Sequence, residues 1–192
     1  MSIGLFGMIS NILIKLYYNL IFYIYAVKKS LFLLIAILFI AAIAKAQTGW
    51  VTHKIDSKIT VKFPSEPNEP KPGIFNSISK DSTNCICTRV EFGKIGLDSA
   101  ALAAVKTTPE FVAEVKVGMK QSLPDVDLED LKIGTWKGFT SYTTSGVNPK
   151  GKRIDYFMFI IGSDVYTLVT IRNIAVNAND KDAFFASVEL AH

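Results

Sequence analysis

Acidic residues are missing from the first 55 positions of this chain: all 17 Asp and Glu fall from Asp56 onward. Four of the 21 Lys and Arg (Lys15, Lys28, Lys29 and Lys45) lie in residues 1–46, so residues 47–192 balance 17 bases against 17 acids. The overall charge of +4 therefore belongs to the N-terminal part, and the basic pI is no argument for a nucleic-acid partner. Histidine is limited to His53 and His192 and cysteine to Cys85 and Cys87, which leaves a zinc or soft-metal centre short of donors. No Gly-x-Gly or Gly-Lys-Ser/Thr spacing occurs, so a phosphate-binding loop is not expected; Gly134, Gly138 and Gly146 read as turns or bulges. The acidic run Asp125-Val126-Asp127-Leu128-Glu129-Asp130 lacks the sixth-position glycine and distal glutamate of a calcium loop. It reads as a solvated loop entering a strand.

What the N-terminus does have is a three-part leader. Lys28-Lys29-Ser30 precedes the almost wholly apolar Leu31–Ala44, and Ala44-Lys45-Ala46-Gln47 follows with small residues at 44 and 46. This is the pattern of a secretory signal peptide over 28–46, with cleavage between Ala46 and Gln47. Residues 1–27 are crowded with Ile, Leu, Tyr, Phe, Asn and Lys and read as an over-extended start, with initiation near Val27. The rival takes Ile3 to Val27 as a transmembrane helix, interrupted only by Lys15. Leu31–Ala46 would then be a second segment, yet it reaches only about 24 Å at about 1.5 Å per residue, short of a core about 30 Å thick. That mismatch favours a cleaved segment. Gln47 is not a cysteine, so no lipid anchor is expected.

Residues 47–192 suit a single exported domain with its own core. Trp50–Ile55 and Ile59–Phe63 predict a strand pair joined by Asp56-Ser57-Lys58, the second strand alternating Ile59, Val61 and Phe63 with polar residues. The proline-dense Pro64–Gly73 predicts a connection without strand, since proline removes ladder donors. Strands follow over Ile74–Lys80 and Asn84–Phe92, with Ile86, Thr88, Val90 and Phe92 opposite Cys85, Cys87, Arg89 and Glu91. A helix capped by Asp98 and Ser99 runs to Lys106. Thr108 as N-cap and Pro109 in the first turn start a second helix, closed by Pro124. Phe111, Val115 and Met119 form its apolar stripe, beside Val112; Glu110, Glu114, Lys116 and Lys120 read as its solvated face. Strands resume at Leu128–Ile133, Trp136–Thr144, Arg153–Ile161 and Val165–Arg172, the last two forming a hairpin over Gly162-Ser163-Asp164. Asn179 is expected to cap a final helix through Ala191 that buries Phe184, Phe185 and Val188. The order predicts an α+β domain with a central, largely antiparallel sheet. Both faces of the hairpin are apolar, Ile154, Tyr156, Met158 and Ile160 on one and Phe157, Phe159 and Ile161 on the other, which calls for cover on both sides.

The residues offer little chemistry. Regular strand geometry sets Cys85 and Cys87 about 6.6 Å apart along one face, whereas a disulfide needs its β-carbons about 3.5–4.5 Å apart. Both are expected as free thiols. His53 is a strand histidine, and a Cys–His nucleophile would need it beside Cys85 or Cys87. Trp136, Phe139, Tyr142, Tyr156, Phe157, Phe159 and Tyr166 read first as core and second as a pocket lining. No catalytic residue, cofactor or metal site is expected.

Ile59-Thr60-Val61-Lys62-Phe63-Pro64-Ser65-Glu66-Pro67 resembles the opening strand and Phe-Pro-x-x-Pro exit of PsbP-like and DcrB-like domains. Gly162-Ser163-Asp164-Val165-Tyr166-Thr167-Leu168 and Phe184-Phe185-Ala186-Ser187 resemble their closing hairpin and terminal helix. The resemblance spans about Trp50 to Leu190 and implies an α/β/α sandwich, a central antiparallel sheet with helices on both faces. It carries over no binding residue. The Ala-Lys-Ala-Gln junction is similar to those of exported Bacteroidota proteins, and Asp81-Ser82-Thr83 and Asp98-Ser99-Ala100 resemble that phylum's O-glycosylation sequon.

These readings lead to a non-enzymatic periplasmic or secreted cell-envelope protein, a binding or assembly module whose partner is an envelope protein or a small ligand. The alternative is a membrane-anchored sensor or scaffold that keeps Ile3–Val27 and touches the membrane only through that leader. An enzyme would need His53 to converge with Asp56 or a cysteine in one pocket. Intact mass of the exported form is expected to match Gln47–His192, less ammonia where Gln47 cyclises. A membrane-bound species retaining residues 1–46 would reverse the choice.

Overall fold

The computed structural model describes residues 49–191. The leader, its Ala46–Gln47 junction and the Ile3–Val27 run lie outside the described residues. Among the described residues no helix is long and apolar enough to cross a membrane.

The domain is α+β, with helices on both faces of a large antiparallel sheet. Strands β1 (Val51–Lys54) and β2 (Ile59–Phe63) form the expected pair. β3 (Asn68–Lys71), β4 (Ile74–Ile78) and β5 (Asn84–Glu91) follow, then helices α1 (Ser99–Val105) and α2 (Pro109–Ser122). Next come β6 (Asp127–Leu128), β7 (Lys132–Trp136), β8 (Phe139–Val147), β9 (Lys152–Ile161) and β10 (Asp164–Asn173). Helix α3 (Asn179–Ala186) and β11 (Glu189–Leu190) close the chain. The large sheet has the order β3-β4-β5-β10-β9-β8-β6, with β7 also on β8; β11 pairs β2 to complete a separate three-stranded sheet β1-β2-β11.

Both predicted helix starts are built as the sequence implies. Asp98 accepts the N–H of Ala101 at 2.8 Å, and Thr108 accepts that of Phe111 at 3.3 Å with Pro109 in the first turn. Elsewhere the structure corrects the reading. The proline-dense segment does contain a strand, β3, at the sheet edge, where the N–H missing from Pro70 faces solvent. The expected Leu128–Ile133 strand is two pieces, β6 and β7, and Trp136 belongs to β7. The β7–β8 hairpin turns at Lys137 (φ 47°) and Gly138 (φ 85°), the geometry of a two-residue loop. Gly146 is neither turn nor bulge. It sits inside β8, where a β-carbon would lie 2.4 Å from the Asp127 carbonyl, so glycine there lets β6 dock. The last helix stops at Ala186 instead of reaching Ala191, and Asn179 is its first residue, not its cap. Ser187 then exchanges hydrogen bonds with the Lys62 backbone, and Glu189–Leu190 pairs β2.

The β9–β10 hairpin is central, and its register sets Phe159 opposite Tyr166 and Phe157 opposite Leu168. On that face Cys85, Cys87, Phe157, Phe159, Tyr166 and Leu168 meet Ile59, Val61 and Phe63 of β2 and Phe184 and Val188 at the C-terminus. This face is covered by the small sheet together with α3, a cover that helices alone were expected to supply. On the other face Tyr156, Met158, Ile160 and Val165 meet Leu102 of α1 and Met119 of α2. Tyr142, fully buried, donates its hydroxyl to the Lys106 carbonyl and so ties β8 to the end of α1.

An ionic network locks the small sheet to the large one. Asp56, in the β1–β2 turn, accepts the Tyr166 hydroxyl at 2.5 Å and the N–H groups of Lys58 (2.7 Å) and Ile59 (3.1 Å). Arg89 of β5 places Nε 2.9 Å from Asp56 Oδ2 and reaches Glu91 at 3.2 Å and Asp164 at 3.5 Å. Lys58 meets Asp164 at 2.5 Å. Burial alone would raise the Asp56 pKa; the Tyr166 hydroxyl, the two backbone N–H groups and Arg89 together hold it below the ordinary carboxylate value. Burial likewise opposes the Arg89 charge, but Asp164, Asp56 and Glu91 hold its pKa above the usual value. Burial and the Asp56 carboxylate push the Tyr166 phenol well up, so it stays a donor.

Two outcomes follow from this packing. Leu168, fully buried between the sheets, should cost about 2–5 kcal/mol on replacement by Ala, read by denaturant unfolding; a cost near zero would mean that this face is not a filled core. The depressed Asp56 pKa implies stability that is present above its ordinary value and lost as pH falls through the folded value. Asp56→Asn should accordingly be less stable than wild type at pH 7, with the gap closing below about pH 4. A gap that stays constant down to pH 2 would detach Asp56 from the acid response.

Candidate functional site

The residues that sequence reading proposed for chemistry do not converge. His53 packs its ring on Phe75 (5.0 Å between centroids) and Phe63 (6.2 Å), with Glu66 3.6 Å from Nδ1. No hydrogen bond or ion pair joins it to Asp56 or to a cysteine among the described residues. Cys85 and Cys87 are free and buried on one face of β5 as expected. Burial, then Asp180 and Asp81, push the Cys85 thiol up to about 12, and burial raises Cys87 as well, so neither is a thiolate nucleophile at neutral pH. Asp81 caps its own turn, accepting from Thr83 N–H at 3.0 Å and from the Ser79 hydroxyl, and Asp98 is spent on α1. The Asp125–Asp130 run is surface structure as read: Asp130 pairs Lys116 at 3.0 Å and Glu129 pairs Arg153 at 3.3 Å. Among the described residues no group of three or more His, Cys, Asp or Glu could hold a metal.

The structure offers a groove instead. It lies between α2 and the outer face of β5, β10 and β9, with a volume of about 690 Å³, inside the range of about 300–1,000 Å³ usual for small-molecule sites. The floor is a grid set by strand register. Val90 and Val165 form one row, Thr88, Thr167 and Met158 the next, and Ile86, Val169 and Tyr156 a third. Phe92 and Leu97 add to the lining from the segment after β5. The wall is one face of α2: Phe111, Glu114, Val115, Gly118, Met119 and Ser122, with Leu123 beyond. The spacing i, i+3, i+4, i+7 is that of a single helical stripe.

Two estimates give the groove its length. Phe111 to Leu123 spans about 18 Å at about 1.5 Å per residue, and Ile86 to Phe92 spans about 20 Å at about 3.3 Å per residue. The site suits an elongated occupant. Its lining is apolar apart from five side chains. Ser122 spends its hydroxyl on the Gly118 carbonyl at 3.0 Å, which leaves the central Thr88–Thr167 pair and the Glu114 carboxylate. Tyr156 adds a phenol that burial lifts to about 12 and so keeps neutral. Gly118 is the unusual wall residue: a β-carbon added there meets nothing within 4 Å. Mid-helix glycine costs about 1 kcal/mol relative to alanine, and here it widens the groove.

Of the aromatics offered as pocket lining, Tyr156 alone joins this groove; Trp136, Phe157, Phe159 and Tyr166 stack within the closed core. Glu114, read as part of a solvated face, stands on its wall. The sequence carried a usable signal in the stripe Phe111, Val115, Met119, interrupted by Gly118 one step before its last member.

No protein-family model matches the chain, and no curated protein matches it. Among solved structures the chain is similar to a crystal structure from Bacteroides thetaiotaomicron VPI-5482, at 12% identity and a TM-score of 0.38, over 70% of this chain and 45% of that one. It is also similar to the solution structure of cyanobacterial PsbP (CyanoP) from Synechocystis sp. PCC 6803, at 12% identity and a TM-score of 0.47, over 73% of this chain and 91% of that one. The chain thus spans under half the length of the Bacteroides protein. The fold stands on its own strand order, and the function on the groove.

Proposed function

We propose that this protein is a non-enzymatic binding module of the cell envelope that carries an elongated apolar ligand in the groove between α2 and the sheet. The observation behind this reading is the groove of about 690 Å³ with an apolar floor and wall. A cleft of that size in a domain of this length is an expensive thing to leave unfilled, because side chains around an open space forgo the dispersion contacts of a packed core. Placement in the envelope rests on the leader pattern at 28–46, outside the described residues. The non-enzymatic reading is supported by the two buried thiols, which are held protonated, and by His53, which no hydrogen bond or ion pair joins to Asp56 or a cysteine.

The test uses Gly118, where an added β-carbon meets nothing within 4 Å. Gly118→Leu should raise thermal stability, by roughly 0.5–1 kcal/mol through helix propensity, while it abolishes binding of the neutral apolar fluorophore N-phenyl-1-naphthylamine. Protein purified from cells that express the full chain is titrated with the fluorophore, wild type against variant. Equal binding by the two proteins, or none by wild type, would remove the groove as a ligand site. Solvent extraction of the wild-type protein followed by mass spectrometry should recover a lipid-like molecule that the variant lacks.

A further inference from the structure

We infer that the groove selects among apolar ligands by head-group charge, that it takes an amphiphile with a cationic head, and that Glu114 is the specificity-determining residue. The inference rests on the groove being a ligand site and adds the chemical class of its occupant.

The charges around the groove are distributed unevenly. Every floor position is apolar, a threonine or the neutral Tyr156 phenol, so the strands bring no ionised group to it. On the wall, Glu114 is the one charged side chain among the described lining residues. It lies one turn from both Phe111 and Gly118, in the middle of the stripe. Its carboxylate forms no ion pair or hydrogen bond with any described residue. The lysines of the same helix are placed elsewhere. Lys116 is two residues on, about 200° around the helix, and is held by Asp130 at 3.0 Å. Lys120, at about 240° from Glu114, also falls off the groove stripe. At the Phe92 end, Lys94 is neutralised by Glu91 at 3.0 Å, and Glu91 in turn meets Arg89 at 3.2 Å. An anionic head entering this groove would therefore meet a like charge and no free cation. An ammonium head would meet its complement, while its tail lies along a floor about 20 Å long. Fatty-acid anions and acidic phospholipids are disfavoured on the same grounds. The Thr88–Thr167 pair adds donors and acceptors of neutral character and does not alter the sign.

The experiment is displacement of bound N-phenyl-1-naphthylamine by dodecylammonium and by tridecanoate, a pair with equal twelve-carbon tails and opposite heads, below their micelle concentrations and at low salt. Wild type should favour the ammonium about fivefold, the ratio expected for one exposed charge pair. Glu114→Gln should bring the two within twofold, and Glu114→Lys should favour tridecanoate. Glu114 is exposed, so neither change disturbs a core, and displacement from each variant is read against that variant's own affinity for the fluorophore. Equal displacement of bound fluorophore by both amphiphiles in wild type, or a preference that survives Glu114→Gln, would overturn the charge selection and leave the groove standing. Absence of fluorophore binding in wild type would instead defeat the groove reading itself.

Discussion

The structure depends on one constraint, that the β9–β10 hairpin is apolar on both faces. Ile154, Tyr156, Met158 and Ile160 point one way and Phe157 and Phe159 the other, and β10 adds Val165 and Val169 to the first set and Tyr166 and Leu168 to the second. A strand pair of this kind is stable only as the middle of three layers. The other described elements either extend this sheet or supply the two outer layers. On one side they come from both ends of the described chain, β1 and β2 from its start and α3 and β11 from its end. On the other they come from the single segment between β5 and β6.

That division has a geometric consequence. Seven strand positions spaced about 4.8 Å apart make a sheet roughly 29 Å wide. Two helices side by side cover about 20–24 Å, and α1, at seven residues, covers only one end. A strip one or two strands wide is left over, and it falls at β5 and β4, where Val90 is 47% exposed and Ile78 61% exposed. The groove is the inner margin of that strip, bounded by α2. It is thus a result of how few residues the middle segment has to spend on cover, and Gly118 keeps it from being partly filled by the helix itself.

The fold was legible wherever local chemistry decides structure. The period-2 pattern of Ile59–Phe63, the caps at Asp98 and Thr108 and the hairpin over Gly162 are all where periodicity and capping place them. Elements that exist only because of distant partners were not legible. β3 carries a proline and would be rejected as a strand anywhere but at an edge, and nothing near Asn68 says that an edge is available. Glu189–Leu190 continues a helical pattern locally and becomes a strand because β2 has an unpaired side. The ionic network shows the same limit. Arg89 at the end of an otherwise apolar strand face signals a buried partner, but Asp56 and Asp164 lie 33 and 75 positions away in the chain. The groove left a fainter trace still, because the stripe Phe111–Met119 looks the same whether it packs fully or stands half open.

The two outer layers differ in how firmly they are held, and that difference bears on function. The closed face has aromatic rings stacked within it, Phe159 on Tyr166 at 5.2 Å and Phe63 on Phe184 at 5.3 Å. It is fixed at one end by the Asp56–Arg89–Asp164–Lys58 network, whose buried members are costly to separate because each would be left as an unpaired charge. Helix α2 has no comparable tie. It is held by Met119 in the core, by half-buried Phe111 and Val115, and by the surface pair Lys116–Asp130, a contact worth at most about 1 kcal/mol. A wall held mainly by non-directional apolar contact can shift along the floor at little cost, whereas a hydrogen-bonded wall could not. The ionic lock on one face and the loosely held helix on the other are therefore complementary. The first fixes the floor of the groove, and the second leaves its wall held mainly by packing.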